Sequence, residues 1–183
     1  MRVMMAGEHP IGRASVCFRP IADTALRPHS VRMAIRAICL SEDELGELTR
    51  MLRASGLPAD DVREPGRTFF RLEDEVGLIG FGGWEGRGSE RLLRSLVVAS
   101  WRQRQGLGRL ALAMIEERAC DAGAASLHLL TTTAASFFRA NGYKDAERNT
   151  APHSIRATNE FSSICPARAS YMVKELKPAR SVS

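Results

Sequence analysis

The sequence predicts a mixed α/β fold in which helices cover the faces of a central sheet. Short runs rich in β-branched and aromatic residues alternate with segments whose apolar residues recur at helical spacing. Their order is strand, helix, three-stranded meander, helix, strand, helix and closing strand, an alternation typical of such sheets. With 183 residues, 44% of them hydrophobic, the chain can bury the core of one compact domain.

The first strand and helix follow an N-terminal segment. Residues 34–40 alternate in the manner of a strand, and Ser41 with Glu44 three positions later forms a capping-box pattern for a helix. Gly56, followed by Pro58, is typical of a helix end. The predicted apolar stripe of this helix consists of Leu45, Leu48, Met51 and Leu52.

A meander of three strands comes next. Residues 68–72 and 76–81 are rich in strand formers and are separated by a tight acidic turn. The glycine-rich segment 82–88 is predicted to connect them to a third strand at residues 92–98.

Four further elements complete the predicted sheet. They are a helix opened by Gly106 and Gly108 and extending to about Ala122, a strand at residues 127–130, a helix at residues 134–141 and a closing strand at residues 169–173. The predicted buried side of the first of these helices consists of Leu110, Ala111, Met114 and Ile115.

The segment before that helix has the pattern of an anion-binding loop. Gly106 and Gly108 let the backbone turn sharply and approach a ligand without interference from a Cβ atom. The unpaired N–H groups of the first helical turn and the helix dipole favour an anion there, and Arg102, Arg104 and Arg109 lie around it. The pattern is neither a dinucleotide fingerprint nor a P-loop. A turn that needs glycine for steric reasons alone is the simpler alternative.

Two blocks of the sequence resemble landmarks of the GNAT superfamily of N-acetyltransferases. The first landmark, an acetyl-CoA signature, is matched by the strand Leu96-Val97-Val98 and the loop Gln103-Arg104-Gln105-Gly106-Leu107-Gly108. The second is matched by the strand at residues 127–130, the aromatic pair Phe137-Phe138 and the closing Gly142-Tyr143. This resemblance covers residues 33–176.

The resemblance implies the GNAT fold, a mixed and mostly antiparallel sheet with helices on both faces, splayed between its fourth and fifth strands. It also implies an acyltransferase that uses acetyl-CoA and no metal. The pantetheine arm of the cofactor would enter the splay, and Thr131 stands where the family often has Asn. The cofactor-binding residues implied are Leu96, Val97, Val98, Gln103, Arg104, Gln105, Gly106, Leu107, Gly108, Arg109, Thr131 and Phe138.

The sequence indicates the catalytic groups less clearly than the cofactor-binding residues. By resemblance, a tyrosine on the late helix would protonate the departing CoA thiolate, but this chain has Phe138 at the matching position. Tyr143 is the nearest alternative acid, although the aromatic residue after that glycine normally packs into the core. Glu85 is the candidate base, with a solvated loop position and a water relay as alternatives. His128, in an apolar strand, has the setting of a core histidine rather than a base.

Arg94 is the first candidate for binding the acceptor. A charge within an otherwise apolar strand requires either an internal salt bridge or a bound anion. A carboxylate or an arsenical oxyanion would suit its guanidinium group.

A narrower resemblance concerns the acceptor itself. Residues 92–96, 129–133 and 154–166 resemble the arsenic-resistance N-acetyltransferases, which implies a detoxifying role and an amino-acid-like organoarsenical as the amine. Arg156 is a second candidate for binding this acceptor, unless it lies on a helix surface. Cys165 is a poor arsenic ligand, because a lone cysteine chelates trivalent arsenic weakly.

The amino-acid composition limits the classes of binding partner and the cellular compartment that we expect for this chain. The four cysteines lack the paired short spacing of a zinc site or a disulfide framework, so cytoplasmic thiols are the default expectation. No apolar run approaches the roughly 20 residues that span a bilayer, so no membrane partner is expected. Most of the formal charge of +5 lies within residues 1–32, which argues against a nucleic-acid partner.

The expected organisation is a single domain with two flanking segments. Residues 1–32, with three prolines and no apolar periodicity, are predicted to be a disordered extension. Residues 33–176 form the GNAT domain and residues 177–183 a C-terminal tail. The expected partner is a small-molecule amine, and a homodimer is implied only by the family. A non-catalytic acyl-CoA-binding module and a protein N-acetyltransferase are the alternatives.

Overall fold

Seven strands form one mixed sheet in the computed structural model, which describes residues 35–164 and 168–177. The predicted extension over residues 1–32 lies outside the described residues, as do residues 178–183 of the predicted tail. The strands are β1 (Arg36–Cys39), β2 (Arg67–Asp74), β3 (Gly77–Glu85), β4 (Glu90–Val98), β5 (Ser126–Thr131), β6 (Lys144–Ala146) and β7 (Ser170–Glu175).

The helices are α1 (Leu45–Ala54), α2 (Leu107–Asp121), α3 (Ala135–Ala140) and the single turn α4 (His153–Arg156). Short 3₁₀ turns occupy Glu42–Glu44, Ser100–Arg102 and Arg148–Thr150, and Glu160–Ile164 forms one π-helical turn. Among the described residues, no helix has the length and apolar character needed to cross a membrane.

The sheet has the order β1-β2-β3-β4-β5-β7-β6. Strands β1 to β4 are antiparallel neighbours, β4 and β5 are parallel, and β7 lies antiparallel between β5 and β6. The predicted sequence of elements is confirmed, and the prediction missed only the three-residue β6 and the short turns. Such short segments carry too few residues to show a period.

Helices cover both faces of the sheet, as predicted. α2 buries Ile115 against Phe70 and Leu93 on one face. Phe69, the neighbour of Phe70 in β2, points to the other face, where it packs with Leu48 of α1. The helices thereby bury both faces of β2, β3 and β4.

The sequence patterns at the helix starts are only partly confirmed. The Ser41 N–H donates to the Glu44 carboxylate over 2.9 Å, so the predicted capping box is present, although a 3₁₀ turn precedes α1. The predicted burial of Leu110 is wrong, because this side chain is 45% exposed. Leu107, one turn earlier, takes the core position because α2 begins there.

The predicted connection at residues 82–88 is also wrong, since β3 continues through Gly82, Gly83 and Trp84 to Glu85. A Cβ atom at Gly83 would lie 2.1 Å from the carbonyl oxygen of Thr68 in β2, and one at Gly82 would lie 3.0 Å from Ile115. These glycines therefore permit close packing of strand and helix rather than a turn.

His128 lies in a small cluster on the face covered by α4 and the π-helical turn. Its Nε2 atom is 3.0 Å from the Ser126 hydroxyl oxygen, and its Nδ1 atom is 2.6 Å from the Tyr171 hydroxyl oxygen. Burial lowers the pKa of His128 and outweighs the opposite influence of Glu90 and Glu175. His128 is thus a neutral, hydrogen-bonded core residue, as its sequence setting indicated.

The tight packing at Gly83 predicts opposite effects of two alanine substitutions. Gly83→Ala forces a Cβ atom into the β2 backbone and should lower the free energy of unfolding by about 1–3 kcal/mol. Gly46→Ala in α1, where an added Cβ atom meets nothing within 4 Å, should raise it by up to about 1 kcal/mol. Urea unfolding of both variants measures the difference, and a Gly83→Ala variant as stable as the wild type would contradict the packing argument.

The buried His128 predicts a loss of stability in mild acid. Because its pKa is lower in the folded chain, the unfolded chain takes up the proton first as the pH falls below about 6.5. The contribution of His128 is complete above that pH and declines below it, by at most about 1.4 kcal/mol per pH unit. Unfolding free energies measured across this range should fall less steeply for His128→Gln. Equal slopes for the two chains would show that His128 does not couple to folding.

Candidate active site

The site begins at an interruption in β4. Ser95 has a φ of +59°, in the left-handed region that side chains other than glycine seldom adopt. The register between β3 and β4 shifts between Phe81 and Gly83, which marks a β-bulge. β4 pairs with β5 only from Glu90 to Leu92, so the two strands part where the bulge begins. The implied splay between the fourth and fifth strands is thereby confirmed.

A cleft of about 180 Å³ fills the gap between β4 and β5. Its lining includes the apolar residues Leu96, Ala134 and Phe137 and the charged residues Arg94 and Glu160. The remaining lining residues are Leu57, Pro58, Leu93, Ser95, Leu129, Leu130, Thr131, Thr133 and Phe138.

The glycine loop, residues 103–108, adjoins Phe137, one of the residues that line the cleft. Gly106 precedes α2 with a φ of +75°, and Arg104 also has a positive φ, so the chain turns sharply into the helix. A Cβ atom at Gly108 would lie 3.6 Å from the Phe137 ring and 3.9 Å from the Val98 side chain. The N-terminal turn of α2 therefore lies beside the cleft, next to Phe137.

The side chains of the glycine loop are exposed to solvent. Gln103, Arg104, Gln105 and Arg109 are all exposed, and the Gln103 amide donates to the Val98 carbonyl over 3.2 Å. The exposed Arg104 and Arg109 therefore flank backbone N–H groups at the start of α2 that lack helical partners, an arrangement suited to a diphosphate.

Arg102 is not part of this anion site, contrary to the sequence analysis. Its guanidinium group is buried and donates to both oxygens of Asp74, over 3.2 and 2.5 Å. Asp74 also accepts from the N–H groups of Val76 and Gly77, and the hydrogen bond from Arg102 lowers the pKa of Asp74. Arg102 thus fastens the glycine loop to the β2–β3 turn.

The residues predicted to hold the pantetheine arm lie on a free strand edge. Val97 and Val98 pair with Phe81 and Gly80 on one side. On their other side the described part of the chain offers no β5 partner beyond Leu92. Backbone donors and acceptors are therefore available for an extended ligand along this edge.

Thr131 and Phe138 also line the cleft. The Thr131 hydroxyl oxygen accepts from the Ala134 N–H over 3.0 Å and so shapes the start of α3. Phe138 lines the cleft and packs edge to face on Phe137 and Tyr143. No hydroxyl group extends from position 138 into the cleft.

Arg94 forms the centre of a buried ion cluster, defined here as Asp61, Arg67, Glu85, Arg94 and Glu160. Its guanidinium donates to Glu85 over 2.6 Å and to both oxygens of Asp61 over 2.8 and 2.9 Å, and its Nε atom lies 2.9 Å from Glu160. Burial alone would lower the pKa of Arg94, but these three carboxylates hold it above its ordinary value. The internal salt bridge foreseen as one alternative is therefore present.

Glu85, the predicted base, belongs to the ion cluster and not to the cleft wall. Its carboxylate accepts from Arg94 and, over 3.3 Å, from Arg67. Both arginines therefore engage the Glu85 carboxylate within the cluster. Glu160 of the π-helical turn faces the cleft instead.

The structure does not bring Tyr143 or Arg156 to the cleft. Tyr143 is buried behind Phe138, and burial together with the nearby Glu116 carboxylate raises the pKa of its hydroxyl. Lys174 lies over its ring and binds Glu116 over 2.6 Å. Arg156 is exposed on α4, and Cys165 lies outside the described residues.

Three residues of the site were missed by the sequence analysis. Ser95 carries no local signal, because the bulge depends on the partner strand. Asp61 and Glu160 lie far from Arg94 in sequence, and only the fold brings them together. Within the described residues, no group of His, Cys, Asp and Glu side chains is arranged to hold a metal ion.

Comparison with known proteins points to one family. Residues 65–145, somewhat less than half of the chain, match the model of the acetyltransferase (GNAT) domain. No curated protein is significantly similar in sequence.

Solved structures share the fold at low sequence identity. N-acetylglutamate synthase from Neisseria gonorrhoeae, complexed with coenzyme A and N-acetyl-glutamate, is 23% identical with a TM-score of 0.64. The similarity covers 81% of this chain but 36% of the synthase, so the chain spans about a third of that enzyme.

Two smaller enzymes are covered almost completely. The ribosomal-protein-S18-alanine N-acetyltransferase from Escherichia coli is 18% identical, with coverage of 82% of this chain and 99% of that one and a TM-score of 0.60. An aminoglycoside 6'-N-acetyltransferase complexed with coenzyme A is also 18% identical, with coverage of 80% and 99% and a TM-score of 0.58. The chain therefore contains a segment that matches the acetyltransferase (GNAT) domain model, and it shares the fold of these solved structures.

Proposed function

We propose that this chain is an N-acetyltransferase that acetylates the amino group of a small molecule by direct transfer from acetyl-CoA. The observation that carries the proposal is the cleft between β4 and β5, whose lining residue Phe137 lies next to the glycine loop and whose lining also includes the charged Arg94 and Glu160. Two substrates entering from opposite sides would meet at the bulge, and direct transfer needs such a ternary complex.

Several groups of this chain are suited to bind acetyl-CoA. The N–H groups at the start of α2, with Arg104 and Arg109, would bind the pyrophosphate. The free edge at Leu96 and Val98 would pair with the pantetheine arm in the manner of a strand. The Val98 N–H would polarise the thioester carbonyl.

The transfer itself needs few side chains. The neutral amine nitrogen attacks the thioester carbon, the C–S bond breaks, and the nitrogen releases a proton as the CoA sulfur leaves. With Phe138 in place of a tyrosine, the sulfur leaves as a thiolate and takes a proton from water. Tyr143 as the acid and Glu85 as the base stay hypotheses, and both would require movement from their positions in this structure.

A second candidate function is a non-catalytic acyl-CoA-binding module. It is favoured by the lack of a hydroxyl group at Phe138 and by the engagement of Glu85 with two arginines. A protein N-acetyltransferase is a third hypothesis.

The acceptor indicated by the narrower sequence resemblance, an amino-acid-like organoarsenical, also stays a hypothesis. Its carboxylate could bind Arg94 only if Arg94 released one of its three carboxylates. Arg156 could contribute only from outside the cleft.

Acetyl-CoA-dependent release of free thiol in the presence of different amines tests the proposal. A panel of amino acids, polyamines, aminoglycosides, an organoarsenical amino acid and a protein N-terminal peptide separates the acceptor classes. Amine-stimulated release establishes the enzyme. CoA binding without stimulation by any amine would favour the binding module.

Two tryptophan variants at the ends of α2 separate cofactor binding from backbone strain. Gly106 and Gly123 both have positive φ, and an added Cβ atom at either meets nothing within 4 Å. Each substitution should therefore cost about 1–2 kcal/mol of stability. Gly106→Trp should also weaken CoA binding at least about tenfold by covering the diphosphate site. Equal CoA affinities for the Gly106→Trp and Gly123→Trp variants, measured by calorimetry, would contradict the assignment of the glycine loop.

Restoring the hydroxyl group at position 138 should accelerate the reaction. A general acid is worth roughly 10²–10⁴ in rate, but a thiol of pKa near 8.5 is a fair leaving group without help. We expect Phe138→Tyr to raise kcat by about tenfold, whereas Phe137→Tyr in the same cleft should not. If both variants fold and bind CoA but leave kcat unchanged, the departing sulfur does not lie next to position 138.

A further inference from the structure

The chain between β4 and α2 has little buried surface of its own. Residues 100–106 lead from the strand into the glycine loop, and within this range, all of which the structure describes, only Arg102 is buried. The Gln103 amide donates to the Val98 carbonyl, which belongs to the end of the preceding strand. The shape of this segment therefore depends largely on what Arg102 contacts elsewhere in the fold.

Arg102 contacts a carboxylate that is itself fixed in place. The Asp74 side chain is fully buried and that of Arg102 is 7% exposed, and the guanidinium group donates to both carboxylate oxygens over 3.2 and 2.5 Å. The same carboxylate accepts from the N–H groups of Val76 and Gly77 over 2.9 and 3.2 Å. Because either charge would be strongly unfavourable if buried alone, the pair holds residues 100–106 against the β2–β3 turn.

The glycine loop needs such support from outside. Arg104 has a φ of +62° and Gly106 a φ of +75°, and the first of these is unfavourable for a residue with a side chain. A backbone in this state persists only where the surrounding structure holds it. A loop that samples other conformations binds its ligand more weakly, in proportion to the fraction of molecules in the competent conformation.

We infer that Asp74 and Arg102 are positioning residues for coenzyme A. Their ion pair holds the glycine loop in the conformation that binds the diphosphate, and neither side chain contacts the cofactor. The inference rests on the proposed function for the identity of the ligand, but it concerns binding and does not require turnover. The alternative is that Arg102 acts as a cation that attracts the diphosphate directly.

Asp74→Asn distinguishes these two roles by the sign of its effect. The substitution keeps an oxygen for the Val76 and Gly77 N–H groups but removes the charge that neutralises Arg102. A freed cation next to the glycine loop would strengthen the binding of an anion, whereas a loosened loop would weaken it. We expect calorimetric titration of the full chain to show CoA affinity at least about tenfold lower than in the wild type. An equal or higher affinity would overturn the inference.

Glu73→Gln is the matched control. Glu73 precedes Asp74 in β2 and accepts from Arg71 over 2.5 Å, but this partner lies outside the glycine loop. The control variant should retain the wild-type CoA affinity. Thermal unfolding without CoA sets a titration temperature well below the midpoints of both variants, so that both are folded. Equal losses of affinity in the two variants would overturn the assignment, because they would reflect the loss of any ion pair in β2.

Arg102→Met, alone and combined with Asp74→Asn, provides a second test if the single Asp74 variant does not fold. The double variant removes both charges and leaves neither buried without its counterion. Because the two residues act as one unit, the double variant should lose CoA affinity by about the same factor as either single variant. If the losses of the single variants multiply in the double variant, the two residues act independently and the inference is overturned.

The kinetics of thiol release separate this inference from the proposed function. With an amine that stimulates release, Asp74→Asn should raise KM for acetyl-CoA at least about tenfold, with a smaller effect on kcat. Weakened CoA binding in this variant, with no thiol release by the wild type for any amine, would support the positioning role and contradict the acetyltransferase. Thiol release with the same KM in both chains would support the enzyme and overturn the positioning role. A wild-type chain that does not bind CoA would overturn both.

Discussion

The separation of β4 from β5 is the constraint on which the site depends. Parallel pairing ends at Leu92 because the bulge at Ser95 turns the backbone of β4 away from its neighbour. A non-glycine residue at positive φ is unfavourable by itself, so the surrounding packing must hold it in place. That packing leaves one strand edge free in the middle of a sheet. A free edge in a buried position is a binding surface, since its N–H and C=O groups need partners.

The ion cluster is connected to the same interruption. Arg94 precedes Ser95, and its carboxylates come from the loop after α1, from the end of β3 and from the π-helical turn. Buried ion pairs are weak evidence for stability, because desolvation offsets much of their attraction. In this protein the ion pairs matter because of the segments that they connect. The cluster links three separate segments beside the cleft, and Arg94 and Glu160 bring charge to its lining.

Local signals in the sequence predicted most of the fold and the glycine turn that precedes α2. Ser41 and Glu44 cap a helix through a contact over three residues, and Gly106 allows a turn through its own φ angle, so both are readable without the fold. Residues 82–84 were misjudged because glycine in a strand and glycine in a turn look alike until the neighbouring strand is known. Leu110 was assigned to the core because periodicity gives the spacing of a helical stripe but not its orientation.

The sequence by itself determined the order of the elements, the helix caps and the glycine loop with its exposed arginines, because each depends on residues close together in the chain. The sequence also showed that Arg94 needs a partner, because it is a charge in an apolar strand, but it left open whether that partner is an internal carboxylate or a bound anion. Only the tertiary structure decided the answer, by bringing Asp61, Glu85 and Glu160 to that guanidinium group. It likewise placed Tyr143 in the core, Arg102 on Asp74 and Glu160 at the cleft. These outcomes depend on contacts between residues distant in sequence, and composition and spacing carry no record of such contacts.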